Sequence, residues 1–348
     1  MQHVLLSPRN LSRRRFAMAL PLLGSGIWAG GAAGGESAAS LRDSRSLMGT
    51  RVDMVVQGAD SLLLRHGMEQ AYLEMQRLES LMSRYQPGSV VSHINVAAGI
   101  APVAVSDEVM AVLQSAQRVA QVTRGAFDVT VGALKSWNFG VGEKRLPASA
   151  EIARQLPLVN ARGLVLDVQA GTAFLTRQGM AIDLGGIAKL PILAAGMQVL
   201  RAHGIQNAMI NGGGDVLTQG LWQGRAWRVG VRDPRSPQQL LGVVSLEGAG
   251  VVASSGDYER CFFYQGQRLH HVLNPHTGQP TSGVHGVSLV ARDVDTVNGL
   301  GAALMVQGAQ AGRAMAERMT GLAVLMAAQD GSVWQSPAMS AVLRPVTA

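Results

Sequence analysis

The stretch from Ala181 to Val216 constrains this chain most: AIDLGGIAKL, a run of helical character, then NAMINGGGDV. It reads as a strand ending in Asp183, a turn at Gly185-Gly186, a helix, a second apolar strand, and a triple-glycine turn at Gly212 to Gly214 closed by Asp215. Two tight turns bracketing one helix bring backbone N–H groups close to a ligand, because glycine has no Cβ to hold that ligand away. The residue order is neither a Walker A loop nor a strand-to-helix G-x-G-x-x-G. What the turns hold is decided by the rest of the chain.

A formal charge of +7 looks basic, but Arg9, Arg13, Arg14 and Arg15 lie within residues 1–35, which hold no acid. Without them the charge falls from +7 to +3, so a nucleic-acid partner is not supported. Those arginines precede Phe16, an apolar run from Ala17 to Trp28 and small residues from Ala29 to Gly35, the form of a twin-arginine export leader. A bilayer span takes roughly 20 apolar residues, and Pro21, Gly24 and Ser25 interrupt this shorter run. The expectation is a signal peptide over 1–35, a linker over 36–45 and one folded domain over 46–348. It would be periplasmic, alone or at the membrane surface, with no membrane span after signal removal. The single Cys261 excludes an internal disulfide and reads as a small buried hydrophobe.

Along the domain, Ser46 to Gly58 ends in an alternating run that predicts a strand, and Leu64, Met68, Ala71, Met75, Leu78 and Met82 predict an amphipathic helix. Residues Ser83 to Asn95 carry turn signals, and Ser106 reads as the N-cap of a helix ending near Gly125. Phe127, Trp137 and Phe139 then concentrate aromatics beside Asp128 and Thr130, as ordinary core or as a wall for a flat ring. Hairpins are predicted over 163–176 and 258–273, and strands near 227–231, 241–246, 251–254, 287–291 and 322–326. Helices are predicted near 297–306 and 309–319. Mixed short strands and helices imply an α+β domain with antiparallel pairs.

Three polar turns at strand ends carry the chemistry: Asp183 to Lys189, Ser254 to Asp257, and His270 to Pro280. Lys189 is a point charge suited to phosphate oxygens, Ser254 and Ser255 offer hydroxyl donors, and His271 is a candidate general base. Singly, each has a plainer reading: a solvated helix lysine, turn serines, a satisfied strand histidine. Together they favour a diphosphate ligand.

At these motifs the chain resembles the FAD:protein FMN transferases, the ApbE family. The resemblance runs in order through MGT (Met48 to Thr50), MSRYQPGSVVSHIN (Met82 to Asn95), GAFDVTVGALKSWNFG (Gly125 to Gly140) and DLGGIAK (Asp183 to Lys189). It continues through INGGGD (Ile210 to Asp215), SSGDYER (Ser254 to Arg260) and HHVLNPHTGQP (His270 to Pro280). It implies a mixed α+β fold with packed helices around a flavin nucleotide cleft. It further implies transfer of FMN from FAD, with Mg²⁺, to a Thr or Ser of an acceptor flavoprotein in a membrane electron-transfer complex, releasing AMP. By position, Met48, Tyr85, Ala126, Phe127, Asp128, Asp183, Lys189 and Val272 would line the nucleotide. Gly186, Asn298 and Ala302 fall on the metal positions.

The chain departs from the family pattern in three places. Leu190-Pro191 follows Lys189 where the family has Gly-Tyr, and proline is tolerated only near a helix start. The family's metal-binding Asp and Thr are Asn298 and Ala302, a neutral amide and a residue with no donor. Asn274 stands where the family has Asp in HxxDP. Asp293 and Asp295 are the acids nearby in sequence. Two functions are therefore expected: a flavin transferase, or an FAD-binding accessory protein of redox-enzyme maturation that has lost turnover.

Overall fold

The computed structural model describes residues 39–140 and 144–346; the expected signal peptide lies outside them. Sixteen strands and seven α-helices are present among the described residues. The backbone of the domain is an antiparallel sheet of eight strands in the order β1 (Ala39–Leu47), β2 (Thr50–Gly58), β6 (Asn207–Gly212), β7 (Asp215–Gln219), β10 (Gly250–Gly256), β13 (Val284–Ala291), β14 (Ala323–Ala328) and β15 (Val333–Gln335). Strand β1 begins at Ala39, so most of the expected 36–45 linker is the edge strand of this sheet. Its alternation is weak because an edge strand is half solvated, and the pattern shows only in its partner β2.

One face of the sheet is covered by helices α1 (Ser61–Met82), α5 (Lys189–Ala202) and α6 (Leu300–Ala316). The apolar stripe of α1 is buried throughout, from Leu64 to Met82, and Asp60 caps the helix by accepting from the Leu62 and Leu63 amides. At about 1.5–3 kcal/mol per buried large apolar side chain, that stripe outweighs any single polar contact in holding α1 down. The other face packs against a three-stranded sheet, β16 (Leu343–Arg344), β9 (Ser236–Leu246) and β8 (Trp227–Asp233), through Trp227, Val229, Val231 and Val244. Alternation along β10 makes the division plain: Val251 and Ala253 face the helices, Val252 the small sheet.

A third sheet, β3 (Val103–Ala104), β5 (Thr172–Leu175) and β4 (Leu164–Asp167), stands with α2 (Val90–Val96) and α3 (Asp107–Val122) at one end of the helical layer. The hairpin β4–β5 forms as expected. Helix α2 occupies residues that read as turn, because Ser89 caps it by accepting from the Ser92 amide. Ser106 precedes α3 without a side-chain capping bond. The two expected C-terminal helices are one element interrupted at Gly308, whose φ of 76° and ψ of 178° are not helical. The last hairpin, β11 (Cys261–Tyr264) with β12 (Gln267–His270), projects beside the sheet, and α7 (Pro337–Val342) closes the fold. Cys261 on β11 is half-buried, not fully buried.

The strand expected to end in Asp183 does not form. Residues Ala181 to Leu184 lie outside every sheet, and Asn95 does a strand's work for Ile182. Its Nδ2 donates to the Ile182 carbonyl at 3.0 Å and its Oδ1 accepts from the Ile182 amide at 2.7 Å. Next along, the Asp183 amide donates to the Val129 carbonyl at 2.8 Å. Replacing Asn95→Ala leaves both groups of Ile182 without partners. The expected cost is about 2 kcal/mol, read as a lowered midpoint in urea with an unchanged slope.

Candidate functional site

The site forms at one end of the large sheet, where the β1–β2 turn, the β6–β7 turn and the exit of β10 lie side by side. Met48 and Gly49 turn the first hairpin with φ of 53° and 66°, and Gly213 and Gly214 turn the second with φ of 65° and 101°. Such two-residue turns need positive φ, which glycine adopts freely and methionine does not. The turns abut: the Gly213 amide donates to the Arg51 carbonyl at 3.1 Å, and a Cβ on Gly213 would meet Thr50 Oγ1 at 2.3 Å. Asn211 Oδ1 accepts from the Gly214 amide at 2.9 Å, which steadies the triple-glycine turn.

Helix α5 delivers Lys189 to this point. Lys189 Nζ lies 2.8 Å from Asp215 Oδ2, and Asp215 Oδ1 accepts from the Ser254 amide at 2.9 Å. Pro191 is the third residue of α5, where a missing N–H costs no helical bond, so the helix starts at Lys189 undisturbed. Ser254 and Ser255 do not act as a pair. Ser254 Oγ faces Ser288 Oγ at 3.5 Å across the strand pairing, whereas Ser255 Oγ fills the notch at Gly301 on α6, 2.4 Å from where a Cβ would lie. Strand alternation puts the Ser254 hydroxyl on the sheet face opposite Lys189.

Asp183 sits at the mouth of the Gly185-Gly186 turn, its Oδ1 accepting from the Gly185 amide at 2.8 Å and its Oδ2 2.9 Å from Arg84 Nη1. Arg84 also lies over the ring of Tyr85, which is 73% exposed and open to a ligand. Ala126, Phe127 and Asp128 are buried. Phe127 belongs to the main core and backs the glycine turn, its ring 3.2 Å from a Cβ on Gly186. Asp128 is held by the Thr130 amide and hydroxyl and the Ala161 amide; burial pushes its carboxyl up, and these three bonds pull the other way. The aromatic wall does not form: Trp137 stacks on Phe139 at 5.2 Å in a separate cluster with Leu134, Ile152 and Phe262, remote from Phe127 in packing. Val272 is buried and partly lost to the core.

His271 follows β12, its amide donating to the Arg260 carbonyl at 3.1 Å. The residue is exposed, while nearby protein atoms thin the water around its ring. That loss of bulk water pushes its pKa down to about 4, and Arg260, His270 and Lys189 add positive charge in the same direction. His270 is wholly buried and donates through its Nε2–H to the Thr281 carbonyl at 2.9 Å. Beneath lies a group that sequence reasoning missed: Asp257, wholly buried, with Arg268 Nη1 at 2.6 Å and His285 Nδ1 at 2.6 Å. It ties β12 to β13 and so fixes the hairpin that presents His271. Arg260 was also missed, although both residues lie in SSGDYER; neither has a spacing that marks its role.

The metal positions do not assemble a Mg²⁺ site. Asn298 is buried with its Nδ2 unpartnered, a donor where a metal needs an acceptor, and Ala302 offers no oxygen. Asp183 and Asp215 are each engaged by a cation and an amide, and Asp293 accepts from Thr296 in its own turn. Among the described residues no three His, Cys, Asp or Glu groups stand together as ligands. Asn274 instead shapes the 274–279 turn, its Oδ1 accepting from the His276 amide at 2.8 Å.

Helices on one face of an antiparallel sheet, with glycine turns and a lysine at its end, define an α+β protein. The sequence pattern of the ApbE family matches residues 48–326, and the chain belongs to that family. It is 34% identical over 247 residues to a FAD:protein FMN transferase of Klebsiella pneumoniae, covering 69% of this chain and 76% of that one. A FAD:protein FMN transferase of Treponema pallidum is 32% identical over 283 residues, covering 76% and 78%. The crystal structure of the ApbE protein of Thermotoga maritima superposes with a TM-score of 0.81 at 32% identity, over 88% of this chain and all of that one. The flavin transferase ApbE of Vibrio cholerae gives 0.76 at 27%, with the same coverage.

The depressed His271 pKa has a direct readout. A group held down at about 4 stays neutral as pH falls through 6, so its ring resonance, assigned with His271→Asn, is expected to be flat from pH 8 to 6 and to titrate near 4. Titration at the ordinary value of a free histidine would mean the cleft is open to bulk water.

Proposed function

We propose that this chain is a FAD:protein FMN transferase acting on a Thr or Ser of a partner redox protein. The observation that carries the reading is the convergence, at one sheet end, of Lys189, a neutral His271 and two glycine turns. The names of the relatives support it. In the step proposed, the acceptor hydroxyl oxygen bonds to the FMN phosphorus of FAD, the anhydride bond to the AMP phosphate breaks, and AMP leaves. The hydroxyl proton passes to His271, which is neutral and able to take it. Lys189 offsets charge on the phosphate oxygens. The protein is proposed to work in the periplasm after twin-arginine export, on an acceptor of a membrane electron-transfer complex. No helix among the described residues is long and apolar enough to cross a membrane.

Asn298 and Ala302 favour one second reading, an FAD-binding accessory protein without turnover. Incubating the chain with FAD, Mg²⁺ and a Thr-containing acceptor domain, then reading in-gel flavin fluorescence of the acceptor, separates the two. Labelling is expected, and His271→Ala is expected to slow it about 10²- to 10⁴-fold. Tight FAD binding with no labelling would sink the transferase reading and leave the accessory one.

A further inference from the structure

Splitting or merely holding a diphosphate requires positive charge beside it, and the metal positions of this chain do not supply an ion. Among the described residues Lys189, Arg84 and Arg260 are the cations to weigh. Lys189 is committed to Asp215 at 2.8 Å and Arg84 to Asp183 at 2.9 Å. Arg260 differs: it is exposed, and among the described residues no acid lies within ion-pair distance of it. Its Nη2 stands 3.1 Å from where a Cβ on Gly49 would be, so the guanidinium lies against the Met48-Gly49 turn. Its own carbonyl accepts from the His271 amide, and its charge is felt at the His271 ring together with that of Lys189. A guanidinium with no acid partner among the described residues thus lies between the first glycine turn and the candidate base, with a planar fork of donors suited to phosphate oxygens.

The substitution at the metal position points the same way. A carboxylate beside a diphosphate is tolerated only with a cation between them, whereas the neutral amide of Asn298 imposes no such requirement. We infer that this chain neutralises the diphosphate of its flavin nucleotide with its own cations, Arg260 foremost, and binds FAD without a divalent ion. The inference rests on the FAD reading above and concerns how that ligand is held.

The test compares FAD with riboflavin, which shares the ring and lacks the phosphates, by flavin fluorescence titration in EDTA and in Mg²⁺. The FAD Kd of the full chain is expected to agree within about twofold between the two buffers. Arg260→Ala is expected to weaken FAD about tenfold or more while leaving riboflavin within about twofold, and Arg260→Lys to recover part of the loss. The double change Asn298→Asp with Ala302→Thr is expected to weaken FAD in EDTA and to recover it in Mg²⁺. FAD binding by the unaltered chain that needs Mg²⁺ would overturn the inference alone. So would Arg260→Ala weakening riboflavin and FAD equally, which is the mark of a structural role. A double variant indifferent to both buffers would remove the charge argument at position 298. A chain that binds FAD in neither buffer would overturn the FAD reading itself.

Discussion

The contact on which the site depends is the 2.8 Å pair between Lys189 and Asp215, because three elements meet there. Lys189 is the first residue of α5, Asp215 opens β7 straight after the glycine turn, and the second oxygen of Asp215 holds the Ser254 amide of β10. Helix, turn and strand exit are thereby referred to a single carboxylate that is only 7% exposed. Low exposure strengthens the attraction over that of a surface pair, and it also makes either partner costly to leave alone.

A second clamp works on the opposite side of the cleft. Asp257 holds Arg268 of β12 and His285 of β13 through separate oxygens, so a short projecting hairpin is locked to the large sheet just before His271. The base is then a consequence of where that hairpin is pinned. Its low pKa follows from the same arrangement, since the elements that fix it also displace water around it and bring Arg260 and Lys189 near. The same positive charge that would suit a phosphate keeps the histidine neutral and lowers its basicity.

Much of the fold was legible in the sequence where periodicity is strong. The α1 stripe from Leu64 to Met82, the β4–β5 hairpin and the Gly213-Gly214 turn are all local patterns, and local patterns survive folding when the buried face is wide. Strand β1 and helix α2 were not legible, the first because it is a half-solvated edge and the second because seven residues carry too little period. The strand expected before Asp183 failed for a tertiary reason: a side chain, Asn95, takes the backbone groups that a neighbouring strand would have taken.

The sequence by itself determined the family, the glycine turns, Lys189, His271 and the loss of carboxylate and hydroxyl at 298 and 302, because these are identities at fixed spacing along the chain. Tertiary structure alone decided which of them meet. It turned Ser254 away from Lys189 while leaving its amide on Asp215, put Phe127 behind the Gly185-Gly186 turn, and moved Trp137 and Phe139 into a cluster of their own. It also placed Arg260 against the Met48-Gly49 turn with no acid within ion-pair distance among the described residues. The opening stretch, Ala181 to Val216, thus names candidate phosphate-facing residues. The pairing of charges across distant strands decides which cations among the described residues are already engaged by an acid.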